Sequence, residues 1–109
     1  MYEPRAARLM ERAAAHQVRA LALLRAARSF GGAPQSEAQR RAKLHLARAH
    51  VSAARHLLLR AQALEPSTKL LGTLDCHLTQ LEIVGVSVER RLRQMEAGPP
   101  ARPAMWAPA

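Results

Sequence analysis

Between Leu71 and Met95 one position recurs at alternating steps of three and four residues: Leu71, Leu74, Leu78, Leu81, Gly85, Val88, Leu92 and Met95. Seven of these eight positions carry an apolar side chain. Only an α-helix brings positions at that spacing onto one face, because a strand repeats every second residue. The stretch 83–88 is rich in β-branched residues, which strands favour. The heptad nevertheless runs through it without a slip, so the pattern predicts helix across 66–97. Gly85 falls on the seam, where it leaves a gap or admits a close backbone.

The rest of the chain follows the same period. Leu44, Ala47, Val51, Ala54, Leu58 and Ala61 form a second heptad seam, whose alternating alanines would let another helix approach closely. Ser36 and Gln39 stand at capping-box spacing just before it. This predicts a helix over 36–64. An earlier helix is predicted over 3–29, with Ala7, Met10, Ala14, Val18, Leu21 and Leu24 as its apolar face. Phe30, Gly31, Gly32, Ala33 and Pro34 then break the chain. Pro66 either opens the third helix or kinks one long helix. Beyond Gly98, four prolines predict a disordered tail over 98–109. The fold expected is all-α: a three-helix bundle, or a helical hairpin with a third helix, in one domain over 1–97. One Phe, one Tyr and one Trp in 109 residues argue against a conventional sandwich or barrel core.

The chain carries 17 Lys and Arg against 8 Asp and Glu, a formal charge of +9. Residues 1–34 and 35–65 contribute about +4 each, and 66–109 about +1. Such a balance favours anionic partners: phospholipid, nucleic acid or an acidic protein. Fifteen of the seventeen bases are Arg, as GC-rich coding produces, so composition is the competing explanation. Within the basic half, Arg41, Arg48 and Arg55 stand seven apart and form one stripe, the expected anionic-surface contact. The apolar seam of Leu71, Leu74, Leu78, Leu81, Val88, Leu92 and Met95 is the expected contact for a partner helix or a second copy.

Signals for chemistry are absent from this sequence. No two of His16, His45, His50, His56 and His77 are three or four apart, so no chelating pair shares a helix face, and no metal is expected. Cys76 reads as a small, partly buried thiol rather than a nucleophile. The eight carboxylates are scattered, and Gly31-Gly32 closes a helix rather than following a strand. No catalytic residue, cofactor or metal is expected, and the chain reads as a non-enzyme. Tyr2, Phe30 and Trp106 lie at ends or in a loop, away from the basic helices, which argues against stacking on single-stranded nucleic acid. The absence of eighteen consecutive apolar residues argues against a membrane span. A single Cys suits a reducing compartment. The location expected is cytoplasmic, peripheral to a membrane, with a mitochondrial destination second because the N-terminus is rich in Arg and Ala.

Two stretches resemble the helical core of the ESCRT-III (charged multivesicular body protein) family. Residues 41–48, with Arg41, Lys43, Leu44, Leu46 and Arg48, are similar to the basic start of that family's long second helix. Residues 73–83, with Leu74, Asp75, Leu78, Leu81, Glu82 and Ile83, look like its later leucine–acid–aliphatic pattern. The chain departs from the family in replacing its usual lysines and glutamates by Ala and Arg, and in Pro66. The resemblance implies a basic helical hairpin that polymerises on acidic membranes. The expected function is thus a helical scaffold on acidic membrane surfaces and partner helices. A coiled-coil adaptor subunit of a soluble complex and a basic nucleic-acid binder are the alternatives.

Overall fold

The computed structural model describes residues 4–28, 36–64 and 68–96, and the side chains from residue 72 onward in the last of these. The break at 30–34, the tail at 98–109 and the side chain of Leu71 lie outside the described residues. Every described residue except Ser36 is α-helical. The helices are α1 (Pro4–Arg28), α2 (Glu37–Leu64) and α3 (Thr68–Glu96), and they form a three-helix bundle. The stretch 83–88 is helix, as the heptad requires.

Sequence fixes how α2 begins. Ser36 N–H donates to Gln39 Oε1 at 3.0 Å, and Gln39 N–H donates to Ser36 Oγ at 3.1 Å. This reciprocal pair satisfies two amides that the helix itself leaves open. One turn further, Arg40 Nε donates to the Ala27 carbonyl at 3.0 Å and ties the end of α1 to the start of α2.

Alanine sets the distance between α1 and α2. Ala6, Ala13, Ala20 and Ala27 stand seven apart on α1, and Ala47, Ala54 and Ala61 do so on α2; none is more than 2% exposed. Ala6 and Ala13 share a core cluster with Ala54 and Ala61, whereas Ala20 and Ala27 share another with Ala47. The two helices are therefore antiparallel, with small residues facing small residues, and their backbones come close. The apolar face of α1 is rotated by about one residue from the expected one. Its core positions are Ala6, Leu9, Ala13, Ala20, Leu24 and Ala27; Met10 and Leu21 are at the edge, Ala14 is exposed and Val18 is 66% exposed. Side-chain size misled the expectation, because the closest helix contact selects the smallest residues.

α3 reverses direction again. Leu74 and Leu81 join the cluster of Ala54, Leu57, Leu58 and Ala61, while Val84, Val88 and Leu92 join that of Leu44 and Ala47. α2 and α3 are thus two antiparallel helices and not one kinked helix, and Pro66 itself lies outside the described residues. Gly85 lies against α2 so closely that a Cβ there would sit 3.3 Å from Val51 Cγ1. α2 packs along both neighbours, and α1 meets α3 only sparsely. The α3 seam is consumed inside the chain: Leu74, Leu81, Val88 and Leu92 are each 1% exposed, and Leu78 and Met95 pack against the same core. No described helix is long and apolar enough to cross a membrane.

Candidate anionic-surface site

α1 and α2 each carry six basic residues and one acid, whereas α3 carries four of each. The charge of the molecule therefore resides on the α1–α2 hairpin. The core holds only Ala, Leu and Val, and among the described residues no polar side chain is buried. Every arginine is consequently pushed to the outside of the hairpin.

The expected stripe is exposed, but two of its three members already have carboxylates. Arg41 Nη2 donates to Glu37 Oε1 at 3.2 Å, one turn back on the same helix. Arg48 grips Glu89 of α3 with both arms, Nε to Oε1 at 2.5 Å and Nη2 to Oε2 at 2.6 Å. That hydrogen bonding holds the Glu89 carboxyl below its ordinary range. Arg55 stands with Arg48 along a groove of about 330 Å³ between α2 and α3, where Glu82 and Glu89 also reach. The stripe faces a mixed-charge groove.

A purer basic site lies where the start of α1 meets the end of α2. Arg5, Arg8 and Arg12 of α1 and Arg60 of α2 line a shallow pocket of about 260 Å³ with Leu9 and Leu64. Among the described residues no carboxylate lines it. Arg8 and Arg12 are one turn apart, and Arg60 is brought to them by the antiparallel pairing. Leu64 stays 39% exposed at its rim. Among the described residues, ion pairs hold Arg41 and Arg48 but none holds Arg8, Arg12, Arg19, Arg25 or Arg60. At the opposite end, Arg28, Arg40 and Arg91 come together from all three helices. Partial burial and then the two neighbouring charges lower the Arg91 pKa.

The hairpin also joins two histidines that sequence spacing kept apart. His16 Nδ1 and His50 Nδ1 lie 2.8 Å apart, with ring centroids at 5.1 Å. One ring must donate and the other accept, so at least one Nδ1 is unprotonated. Desolvation, then the His50, Arg19 and Arg12 charges, lower the His16 pKa. A folded-state pKa below the ordinary 6.5 means that the unfolded chain binds the proton more tightly. The stabilising contribution is full above that value and is lost as pH falls through and below it. We expect a lower melting temperature at pH 5.5 than at 7.5, and a smaller difference in His16→Gln. This window lies above the carboxylate range, so Glu89 does not contribute. Equal melting temperatures in the wild type would rule out the coupling. The pair was invisible in sequence because its members are 34 residues apart.

Cys76 is exposed, not partly buried as expected. It follows the core position Leu74 by two residues, which turns it to the far side of α3. Among the described residues, no group of three or more His, Cys, Asp or Glu could hold a metal ion. Compared with known proteins, the chain matches no family model, no curated protein and no solved structure.

Proposed function

We propose that the chain is a non-enzymatic helical scaffold that binds an acidic membrane surface through its α1–α2 hairpin. The observation that carries this reading is the pocket of Arg5, Arg8, Arg12 and Arg60 with Leu64 at its rim, which no carboxylate lines among the described residues. Guanidinium groups pair with phosphate and carboxylate in a forked geometry. Leu64, 39% exposed beside them, suits the apolar boundary just below a lipid headgroup. Val18, Leu46 and Leu59 add exposed aliphatic surface to the same two helices, at 66%, 51% and 48% exposure. Bare aliphatics among arginines serve a lipid surface better than a phosphodiester backbone, which offers them nothing to cover. An ESCRT-III-like polymer on membranes is the narrower form of this reading, motivated by residues 41–48 and 73–83. Departing from that family's continuous helix, these two stretches lie on antiparallel helices here.

Flotation tests it. The wild type is expected to float with vesicles of mixed phosphatidylserine and phosphatidylcholine at physiological salt, and to stay behind with phosphatidylcholine alone. Each basic residue near an anionic surface contributes about 1 kcal/mol. Neutralising Arg8, Arg12 and Arg60 to Gln should therefore weaken binding roughly a hundredfold, at about 1.4 kcal/mol per tenfold. Neutralising Arg41, Arg48 and Arg55 should weaken it less, because two of them are held by Glu37 and Glu89. A wild type that ignores acidic vesicles but binds duplex DNA with a steep salt dependence would transfer the site to nucleic acid. One that binds neither would leave the adaptor reading in first place.

A further inference from the structure

α3 has a second regular face, on the side away from the core. Cys76, Thr79, Ile83, Val86, Arg90 and Arg93 recur at steps of three and four residues, and all are exposed. Cys76, Ile83, Val86 and Arg90 follow the core positions Leu74, Leu81, Val84 and Val88 by two residues, about 200° around the helix, and Thr79 and Arg93 continue the same row. The middle of this face is apolar, with Ile83 63% and Val86 49% exposed. Its N-terminal half is small: Cys76, Thr79 and, one step earlier, Gly72, around whose Cα there is open space. The Thr79 hydroxyl already donates to the Asp75 carbonyl at 2.8 Å, so its methyl is the free surface. The C-terminal half carries the long cations Arg90 and Arg93.

Charge follows the same division. Asp75 and Glu82 are exposed in the N-terminal half, and Arg90 and Arg93 in the C-terminal half. Glu89 is taken up by Arg48 of α2, so along this face the helix is small with acids beside it in one half, and long and basic in the other, and such a face complements itself when turned end for end. We propose that α3 pairs with α3 of a second copy, antiparallel, through this face. A two-fold axis beside Val84 and Gly85 sets Ile83 against Val86 of the second copy, Arg90 against its Thr79 and Arg93 against its Cys76. The long cations then lie over small residues, with Asp75 and Glu82 of the other copy alongside. α1 and α2 are excluded from this role because each is strongly basic and would repel its counterpart. The ion pairs set direction and register more than strength. Two aliphatics per copy make a small apolar centre, so the dimer forms and separates readily. This rests on reading the chain as an assembly module and not on which anionic surface it binds.

Disulfide trapping, done without lipid, tests the pairing. Helices packed 8–10 Å apart bring facing Cα atoms to roughly 4–6 Å, within disulfide reach. Arg93→Cys should therefore oxidise to a covalent dimer, its new thiol meeting Cys76 of the second copy. The same two positions in one chain are roughly 25 Å apart along α3 and cannot join. The wild type should trap little, because its two Cys76 thiols would also be roughly 25 Å apart across the dimer. Adding Ile83→Asp should remove the trapped dimer while circular dichroism stays unchanged, since Ile83 lies outside the core. Trapping of Arg93→Cys no better than wild type would overturn the proposal. So would efficient Cys76–Cys76 trapping in the wild type, which requires a different register. Flotation of the wild type reads the membrane proposal separately, so either can fail alone.

Discussion

Leu81→Asp is expected to unfold the protein. Leu81 is 1% exposed and sits in the cluster that joins α1, α2 and α3. The substitution removes a buried aliphatic and places a carboxyl where no polar side chain is buried. Leu81→Ala alone should cost about 2–5 kcal/mol, from lost burial and the cavity left behind. A domain of this size has a total stability of about 5–15 kcal/mol, so the alanine variant should remain folded at reduced stability. The aspartate adds desolvation of an unpaired group and exceeds what the core can absorb. Urea denaturation of the alanine variant and circular dichroism of the aspartate variant give the two readings. A Leu81→Asp protein as helical and as stable as wild type would mean that α3 does not lie on this core.

Ala54→Leu should also destabilise the protein, although it adds apolar surface. Ala54 is 1% exposed and lies where α2 meets Ala6 and Ala13 of α1. Three extra carbons at a point of close approach force the helices apart or the side chain off its rotamer. Overpacking typically costs about 1–3 kcal/mol. Here displacement of α1 also opens the neighbouring alanine contacts, so the upper end is expected. By contrast, Ala49→Leu, on the exposed side of α2, should change the midpoint little. If the two variants denature at the same urea concentration, the alanine register is not what sets the hairpin.

What sequence revealed and what it hid divide along physical lines. The α3 seam and the α2 seam were legible because large aliphatics mark them at a strict period. Ser36 and Gln39 were legible because a capping box is local, decided within four residues. The α1 face was not. In a helix so rich in alanine, Met10 and Val18 draw the eye, yet the buried positions are those where a neighbouring backbone comes nearest. Ala6, Ala13, Ala20 and Ala27 differ from Ala14 and Ala15 only in where α2 lies. Whether the α3 seam would find a partner inside or outside the chain also could not be read from its period. The contacts that specify the site share this difficulty. Arg48 meets Glu89 across 41 residues, and Arg60 meets Arg8 and Arg12 only because the hairpin is antiparallel. Cys76 could have been placed correctly, since two residues from a core leucine is the far side of a helix.

The alternation of helix direction gives the molecule an electrical axis. Each α-helix behaves as though about half a positive charge sat at its N-terminus and half a negative charge at its C-terminus. α1 and α3 point the same way and α2 opposes them, so one helix's worth of this macrodipole survives uncancelled along the bundle. Its positive pole is the end where α1 and α3 begin, and Arg5, Arg8, Arg12 and Arg60 lie at that same end. At the negative pole, Arg28, Arg40 and Arg91 come together, and Arg40 donates to the Ala27 carbonyl at the end of α1. Backbone and side chains thus add at one end and oppose at the other. A body polarised in this way would turn in the field of an anionic surface before touching it. On the membrane reading proposed above it would arrive with the start of α1 leading, and Leu64 at the rim of the pocket would be among the first atoms to meet what lies beneath the charge.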